Sequence, residues 1–178
     1  MKENPFENVK AKDLQKMYTE GTLYNFNCEV AQHRSDLHIG QSSTRPWSPD
    51  YEKVGIAGEL KWSVVSGMDP DLSDRPGGDD FDFMSKKGPI DIKTRTNPRG
   101  LPVEVSKIKP KHIYILGKFT NKDVAFLGWS YGWEVMKSKV DNFRGTKMHL
   151  KPIPELHSMD SLYDLLDIDA PRSGILTL

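Results

Sequence analysis

The strongest periodic pattern in the chain is helical and lies between residues 48 and 67. Apolar residues recur there at steps of three and four, the spacing of one helix face, at Val54, Ala57, Leu60 and Val64. Ser48 suits the N-cap of such a helix, Pro49 its first position and Gly67 its end. We therefore predict a helix that begins after Ser48 and ends before Gly67.

Another face of this helix carries Glu59 beside two glycines. Gly55 and Gly58 each cost about 1 kcal/mol of helix stability relative to alanine. Such a cost is typical of a helix that another element approaches closely, so we expect a close approach beside Glu59. Trp62 shares this face and is predicted to pack in the core.

Shorter alternating patterns after this helix predict β-strands. Two hairpins are expected, with strands at 81–84 and 89–94 and at 112–119 and 124–129, and a last strand at 146–151. Further short helices are predicted at 11–18, 26–34 and 159–166, the last with Ser158 as its cap. Helices, then a mostly antiparallel sheet, then a helix indicate an α+β or mixed α/β fold.

The first hairpin gathers charged side chains on one face. If the turn spans residues 85–88, Asp82 lies opposite Asp91, and Asp80 lies opposite Lys93. Asp91 and Lys93 also share a face, because side chains alternate along a strand. Two opposed carboxylates are destabilising unless something neutralises them, and a hard cation such as Mg²⁺ does so.

A lysine two residues beyond the second acid adds a catalytic possibility to this face. Lys93 can orient or deprotonate an attacking water, or offset charge on a pentavalent phosphorus. The arrangement suits metal-assisted hydrolysis of a phosphodiester. The plainer alternative is a polar hairpin face on which Asp91 and Lys93 form a salt bridge.

Asp82, the run Asp91-Ile92-Lys93 and the upstream helix with Glu59 resemble the PD-(D/E)xK nuclease superfamily, in its small phage and bacterial type. The resemblance implies a restriction-endonuclease-like core with a central mixed, mostly antiparallel sheet flanked by helices. That core would span residues 48–151 of a single domain, with residues 1–47 and 152–178 packed on it as extensions. One departure is that no proline immediately precedes Asp82.

The resemblance also implies a role for each matching residue. Glu59, Asp82 and Asp91 would hold Mg²⁺ or Mn²⁺, and Lys93 would position or activate the water. Whether Asp80 or Asp82 is the ligand stays open, although the pairing with Asp91 favours Asp82. The implied substrate is DNA, as branched or nonspecific duplex, and members of this size can act as homodimers.

Charge is unevenly spread along the chain. Six aspartates and one arginine lie in residues 69–82, whereas residues 84–122 hold ten Lys or Arg against two acids. Basic side chains near the proposed site would neutralise phosphates if they line one edge, and solvated surface residues are the alternative. The predicted nucleic-acid-binding residues are Lys86, Lys87, Arg95, Arg99, Lys107 and Lys109.

Composition narrows the function classes further. The 178 residues carry 25 basic and 25 acidic side chains, so net charge alone does not indicate a nucleic-acid binder. The longest uncharged apolar stretch, residues 124–133, is too short to span a membrane. The lone Cys28 forms neither an internal disulfide nor a cysteine-based zinc site. An intracellular location is expected, because the N-terminus has no apolar signal segment.

Two other classes of function stay open at this point. One is a non-catalytic nucleic-acid-binding module that keeps the fold. The other is a structural or assembly protein whose hairpin acids are surface groups only. Trp129 and Trp133 are predicted to lie in the core rather than to stack on bases.

Overall fold

A computed structural model describes residues 3–37, 49–74 and 80–169. Its α-helices are α1 (Ala11–Glu20), α2 (Leu23–Leu37), α3 (Pro49–Ser66), α4 (Gly132–Val135) and α5 (Met159–Leu166), with a 3₁₀ helix at Ile153–Glu155. Its strands are β1 (Phe83–Ser85), β2 (Gly88–Arg95), β3 (Gly100–Glu104), β4 (Ile113–Thr120), β5 (Asp123–Tyr131), β6 (Val140–Phe143) and β7 (Thr146–Pro152). The chain is a mixed α+β protein, as its sequence pattern predicts.

The strands form two sheets. The first has the order β1-β2-β4-β5, with β2 and β4 parallel and the outer pairs antiparallel, which confirms the mixed sheet. The second is antiparallel, in the order β3-β7-β6. Its strand β7 confirms the predicted last strand at 146–151, whereas β3 and β6 were not predicted. Its strand β3 contains Pro102 and follows a turn-forming segment, so its strand pattern is weak.

The four-stranded sheet is covered on both faces. One face packs against α3 and α5 through Trp62, Ile90, Ile92, Ile113, Ile115 and Leu162. The other face packs against β3 and α4 through Leu101, Val103, Tyr114, Leu116 and Val135. Helices α1, α2 and α3 share a separate apolar cluster around Leu14, Val30 and Leu60.

Several predicted boundaries are confirmed. Helix α1 ends at Gly21, which adopts the left-handed φ of 75° that glycine tolerates best. Helix α3 ends before Gly67, and the Ser158 side chain caps α5 by accepting the Ser161 amide. The predicted cap of α3, Ser48, lies outside the described residues. Within the described part of the chain, no helix has the length and apolar character needed to cross a membrane.

The tryptophans divide between core and surface. Trp62 and Trp129 are buried, as predicted. The core prediction for Trp133 is wrong, because 49% of this residue is exposed. Its ring stacks on Tyr131 at a centroid distance of 6.3 Å, and Lys137 Nζ lies 4.9 Å from its centre. Trp133 lies on the one-turn helix α4, which is too short to show a buried face in the sequence.

Candidate active site

A glycine allows α3 to approach β2 beside Glu59. A Cβ at Gly58 would lie 1.9 Å from Thr94 Oγ1 and 3.1 Å from Ile92 Cγ2, far inside van der Waals contact. Glycine is therefore required where the helix approaches β2. The expected close approach is confirmed at Gly58 and wrong at Gly55, where a Cβ would meet nothing within 4 Å.

Asp82 lies where the β1–β2 ladder ends. The predicted register is confirmed, since Phe83 pairs with Ile90 and the ladder begins at Phe83. The Asp82 amide donates to the Ile90 carbonyl at 2.9 Å, and its carboxylate accepts the Ile92 amide at 2.7 Å. The expected direct pairing of Asp82 with Asp91 is wrong, because β1 begins at Phe83, one residue after Asp82. The Asp82 side chain, rather than a backbone carbonyl of β1, therefore accepts the Ile92 amide at the edge of β2.

Asp91 and Lys93 share one face of β2, as the alternation of side chains predicts. The Lys93 ammonium lies 2.7 Å from Asp91 Oδ1, and both side chains are partly exposed. This contact matches the salt bridge of the plainer interpretation. It also holds a cation within reach of any phosphate that binds beside Asp91.

Glu59 has a partner that the sequence did not indicate. Arg34 of α2 places its guanidinium 3.5 Å from the Glu59 carboxylate, and about one fifth of each side chain is exposed. The two residues are far apart in the chain, so no local spacing points to this pair. Packing of α2 against α3 brings them together.

The acids form one electrostatic cluster. Burial is the main cause that raises the pKa of Glu59; Arg34 opposes it, and the charges of Glu52 and then of Asp91 add to it. The pKa of Asp82 is raised well above its usual range by burial, and then by the charges of Glu59 and Asp91. Lys93 lowers the pKa of both groups. Electrostatics thus link all four residues of the predicted catalytic set.

The donor chemistry of this cluster fits Mg²⁺ or Mn²⁺. Both ions prefer carboxylate oxygens, and a cation would relieve the repulsion that raises the pKa values of Glu59 and Asp82. Among the described residues, no three His, Cys, Asp or Glu side chains are placed to hold a metal as they stand. The carboxylates instead bind Arg34, the Ile92 amide and Lys93. A metal would have to compete with these partners.

An open cavity of about 410 Å³ lies beside Asp82. Its lining includes Asp80 and Asp82, with two more aspartates and four apolar residues. Asp80 is exposed, and it does not appear among the charges that shift the pKa of Glu59 or Asp82. Of the two alternatives left open by the sequence, Asp82 is the one that joins the acidic cluster.

His112 lies on the same face of the sheet and was missed by the sequence analysis. It precedes β4, in which Tyr114 pairs with Asp91, and alternation places His112 on the face of Tyr114. Burial lowers the pKa of His112, while the charge of Asp91 opposes that shift. Its Nδ1 has no hydrogen-bond partner among the described residues. The alternation of polar and apolar residues around His112 is the signal that could have found it.

The predicted nucleic-acid-binding residues do not line one edge. Lys86 and Lys87 lie in the β1–β2 turn, whereas Arg95 ends β2 and Arg99 follows it. The eight residues of β2 separate these two groups by about 25 Å. Among the described residues, Lys86 binds Asp167, and Lys107 lies 3.3 Å from Glu104. Lys109 is exposed in the loop before β4.

Comparison of the chain with protein-family models, with curated proteins and with solved structures finds no match. The function of the chain is therefore inferred from the geometry and electrostatics of the site.

Proposed function

We propose that the chain is a Mg²⁺-dependent DNA nuclease of the PD-(D/E)xK type. The observation that carries the proposal is the electrostatic coupling of three acids and a lysine around β2. Glu59 lies on α3, Asp82 immediately precedes β1, and Asp91 and Lys93 lie on β2. A cluster of partly buried acids with raised pKa values is costly to fold, and such costs concentrate at functional sites.

In this proposal each residue has a distinct role. Glu59, Asp82 and Asp91 hold the divalent ion, which when bound supplies Lewis acidity at the scissile phosphate. The Lys93 ammonium orients the attacking water or offsets charge on the pentavalent phosphorus. The Ile92 amide keeps the Asp82 carboxylate turned toward the edge of β2.

The ion pairs of the site have a role before substrate arrives. Arg34 offsets the charge of Glu59, and Lys93 offsets that of Asp91. Both cations oppose the effect of burial on the pKa of Glu59, although that pKa stays raised overall. The same pairs also favour the alternative of a structural protein, in which they would be permanent.

The proposal is tested by cleavage of labelled duplex and branched DNA with Mg²⁺, with Mn²⁺ and with EDTA. Wild type should cleave with either metal, and Asp91→Asn should not, while the two proteins share one circular dichroism spectrum and melting temperature. Cleavage by Asp91→Asn at the wild-type rate would refute the site. Binding without cleavage by wild type would favour the non-catalytic module.

A second variant separates chemistry from binding. Lys93→Ala should lose cleavage by about 10²-fold or more, because a water-orienting group acts mostly in the transition state. Its DNA affinity in Ca²⁺ should change little. Equal losses of affinity and rate would make Lys93 a phosphate anchor instead.

A further inference from the structure

Exposed apolar side chains concentrate in a short segment far along the chain from the acids. Of the eight large hydrophobic residues that are exposed in the described part of the chain, four lie within residues 133–143. They are Trp133, Met136, Val140 and Phe143. Phe143 is the most exposed of the eight, at 65%. Exposed apolar residues grouped in this way mark interaction surfaces.

The same part of the chain carries more basic than acidic side chains. Residues 133–147 contain four Lys or Arg against Glu134 and Asp141, in a chain whose net charge is zero. Two of the cations lie over exposed rings: Lys137 Nζ is 4.9 Å from the centre of Trp133, and Arg144 Cζ is 5.9 Å from that of Phe143. Each of the two exposed rings thus has a cation beside it.

Phe143 is held on a well-defined hairpin rather than on a loose loop. It is the last residue of β6 and pairs with Thr146 across a turn formed by Arg144 and Gly145. Both turn residues have positive φ, at 51° and 85°, as in the tight turns that match strand twist. The Gly145 amide also donates to the Asn142 side chain at 2.9 Å. The backbone that carries the ring is therefore ordered before binding.

We infer that this basic aromatic surface, residues 133–147, binds unpaired nucleotides by stacking bases on Phe143 and Trp133 and by contacting phosphates with the neighbouring cations. Base faces are open to stacking only where strands are unpaired, and aromatic platforms beside basic side chains are typical of single-strand binding. A second copy of the chain is a poor occupant, because two such basic surfaces would repel each other. The inference rests on the proposed function, and it narrows the substrate to DNA with a single-stranded part.

The test is fluorescence anisotropy of a labelled oligothymidine and of a duplex of the same length, both in Ca²⁺ so that no cleavage occurs. Phe143→Ala should weaken oligothymidine binding about tenfold, and Phe143→Ala with Trp133→Ala should weaken it further. Arg144→Ala should lower the salt dependence of binding. Duplex affinity should change much less. Because Phe143 is exposed, Phe143→Ala should keep the wild-type melting temperature.

Leu37→Ala is the control, since Leu37 is an exposed apolar residue at the end of α2, outside residues 133–147. Equal oligothymidine affinity for wild type and Phe143→Ala would overturn the inference. A dimer in sedimentation that Phe143→Ala dissociates, without oligothymidine binding by wild type, would also overturn it. Oligothymidine binding without any cleavage would refute the nuclease proposal and leave this surface standing.

Discussion

The close approach of α3 to β2 predicts opposite effects for two alanine substitutions in the same helix. In Gly58→Ala the new Cβ would lie 1.9 Å from Thr94 Oγ1, so the two atoms must separate by about 1.5 Å to reach ordinary contact at 3.4 Å. Rotating Thr94 gives little relief, because a β-branched side chain has few allowed rotamers and brings its methyl group into the same space. The helix or the strand must move.

The expected size of the effect follows from two opposing contributions. Overpacking a tight contact costs about 1–3 kcal/mol, and replacing a helical glycine by alanine gains about 1 kcal/mol. Gly58→Ala should therefore lower the free energy of unfolding by up to about 2 kcal/mol. Gly55→Ala meets nothing within 4 Å and should raise it by up to about 1 kcal/mol. The difference in unfolding free energy between the two variants therefore measures the cost of packing the new methyl group against Thr94.

Urea denaturation of the two variants measures this difference. A shift of α3 also moves Glu59, so Gly58→Ala should slow cleavage by up to about 10²-fold, and Gly55→Ala should not. The double variant Gly58→Ala with Thr94→Ala should have a free energy of unfolding at least about 1 kcal/mol higher than Gly58→Ala alone, because it removes the clashing Thr94 oxygen. If Gly58→Ala stabilised the protein as much as Gly55→Ala, the approach of α3 to β2 would be wrong.

Three further predictions concern charged and titratable groups. Because the folded state raises the pKa values of Glu59 and Asp82, the metal-free protein should lose stability as pH rises from their ordinary values, 4.5 and 3.8, through the raised ones. Glu59→Gln with Asp82→Asn should flatten that slope in urea titrations, and an unchanged slope would contradict it. Lys61→Met should lower the free energy of unfolding by about 1–3 kcal/mol, because the buried Lys61 ammonium lies 2.7 Å from Asp123. Unchanged stability would show that the ion pair contributes nothing. His112→Phe should leave stability equal or higher, because it keeps an aromatic ring and removes a buried nitrogen without a partner; a loss above about 1 kcal/mol would reveal a partner for that nitrogen.

Local signals were enough for much of the fold. The bounds of α5, its Ser158 cap and the pairing of Phe83 with Ile90 follow from short-range patterns, and the structure confirms them. The run Glu59-Leu60-Lys61 also repeats the spacing of the strand motif, but it lies on a helix. There Lys61 binds Asp123 and Tyr18.

Some features that the sequence did not predict depend on contacts between residues far apart in the chain. The Arg34–Glu59 pair depends on how α2 packs against α3, and no spacing in the chain encodes it. Strand β6 escaped prediction because it is exposed at every residue and so lacks alternation. Trp133 was assigned to the core from its residue type alone.

The most direct test of the central claim is a crystal of the wild-type protein soaked in Mn²⁺, with anomalous diffraction recorded at the manganese edge. We predict one or two anomalous peaks within coordination distance of the Glu59, Asp82 and Asp91 carboxylates, and none at this place in Asp91→Asn. The same maps should show Lys93 turned away from Asp91 Oδ1. A wild-type crystal with no peak among these carboxylates, at Mn²⁺ concentrations that support cleavage, would contradict the account.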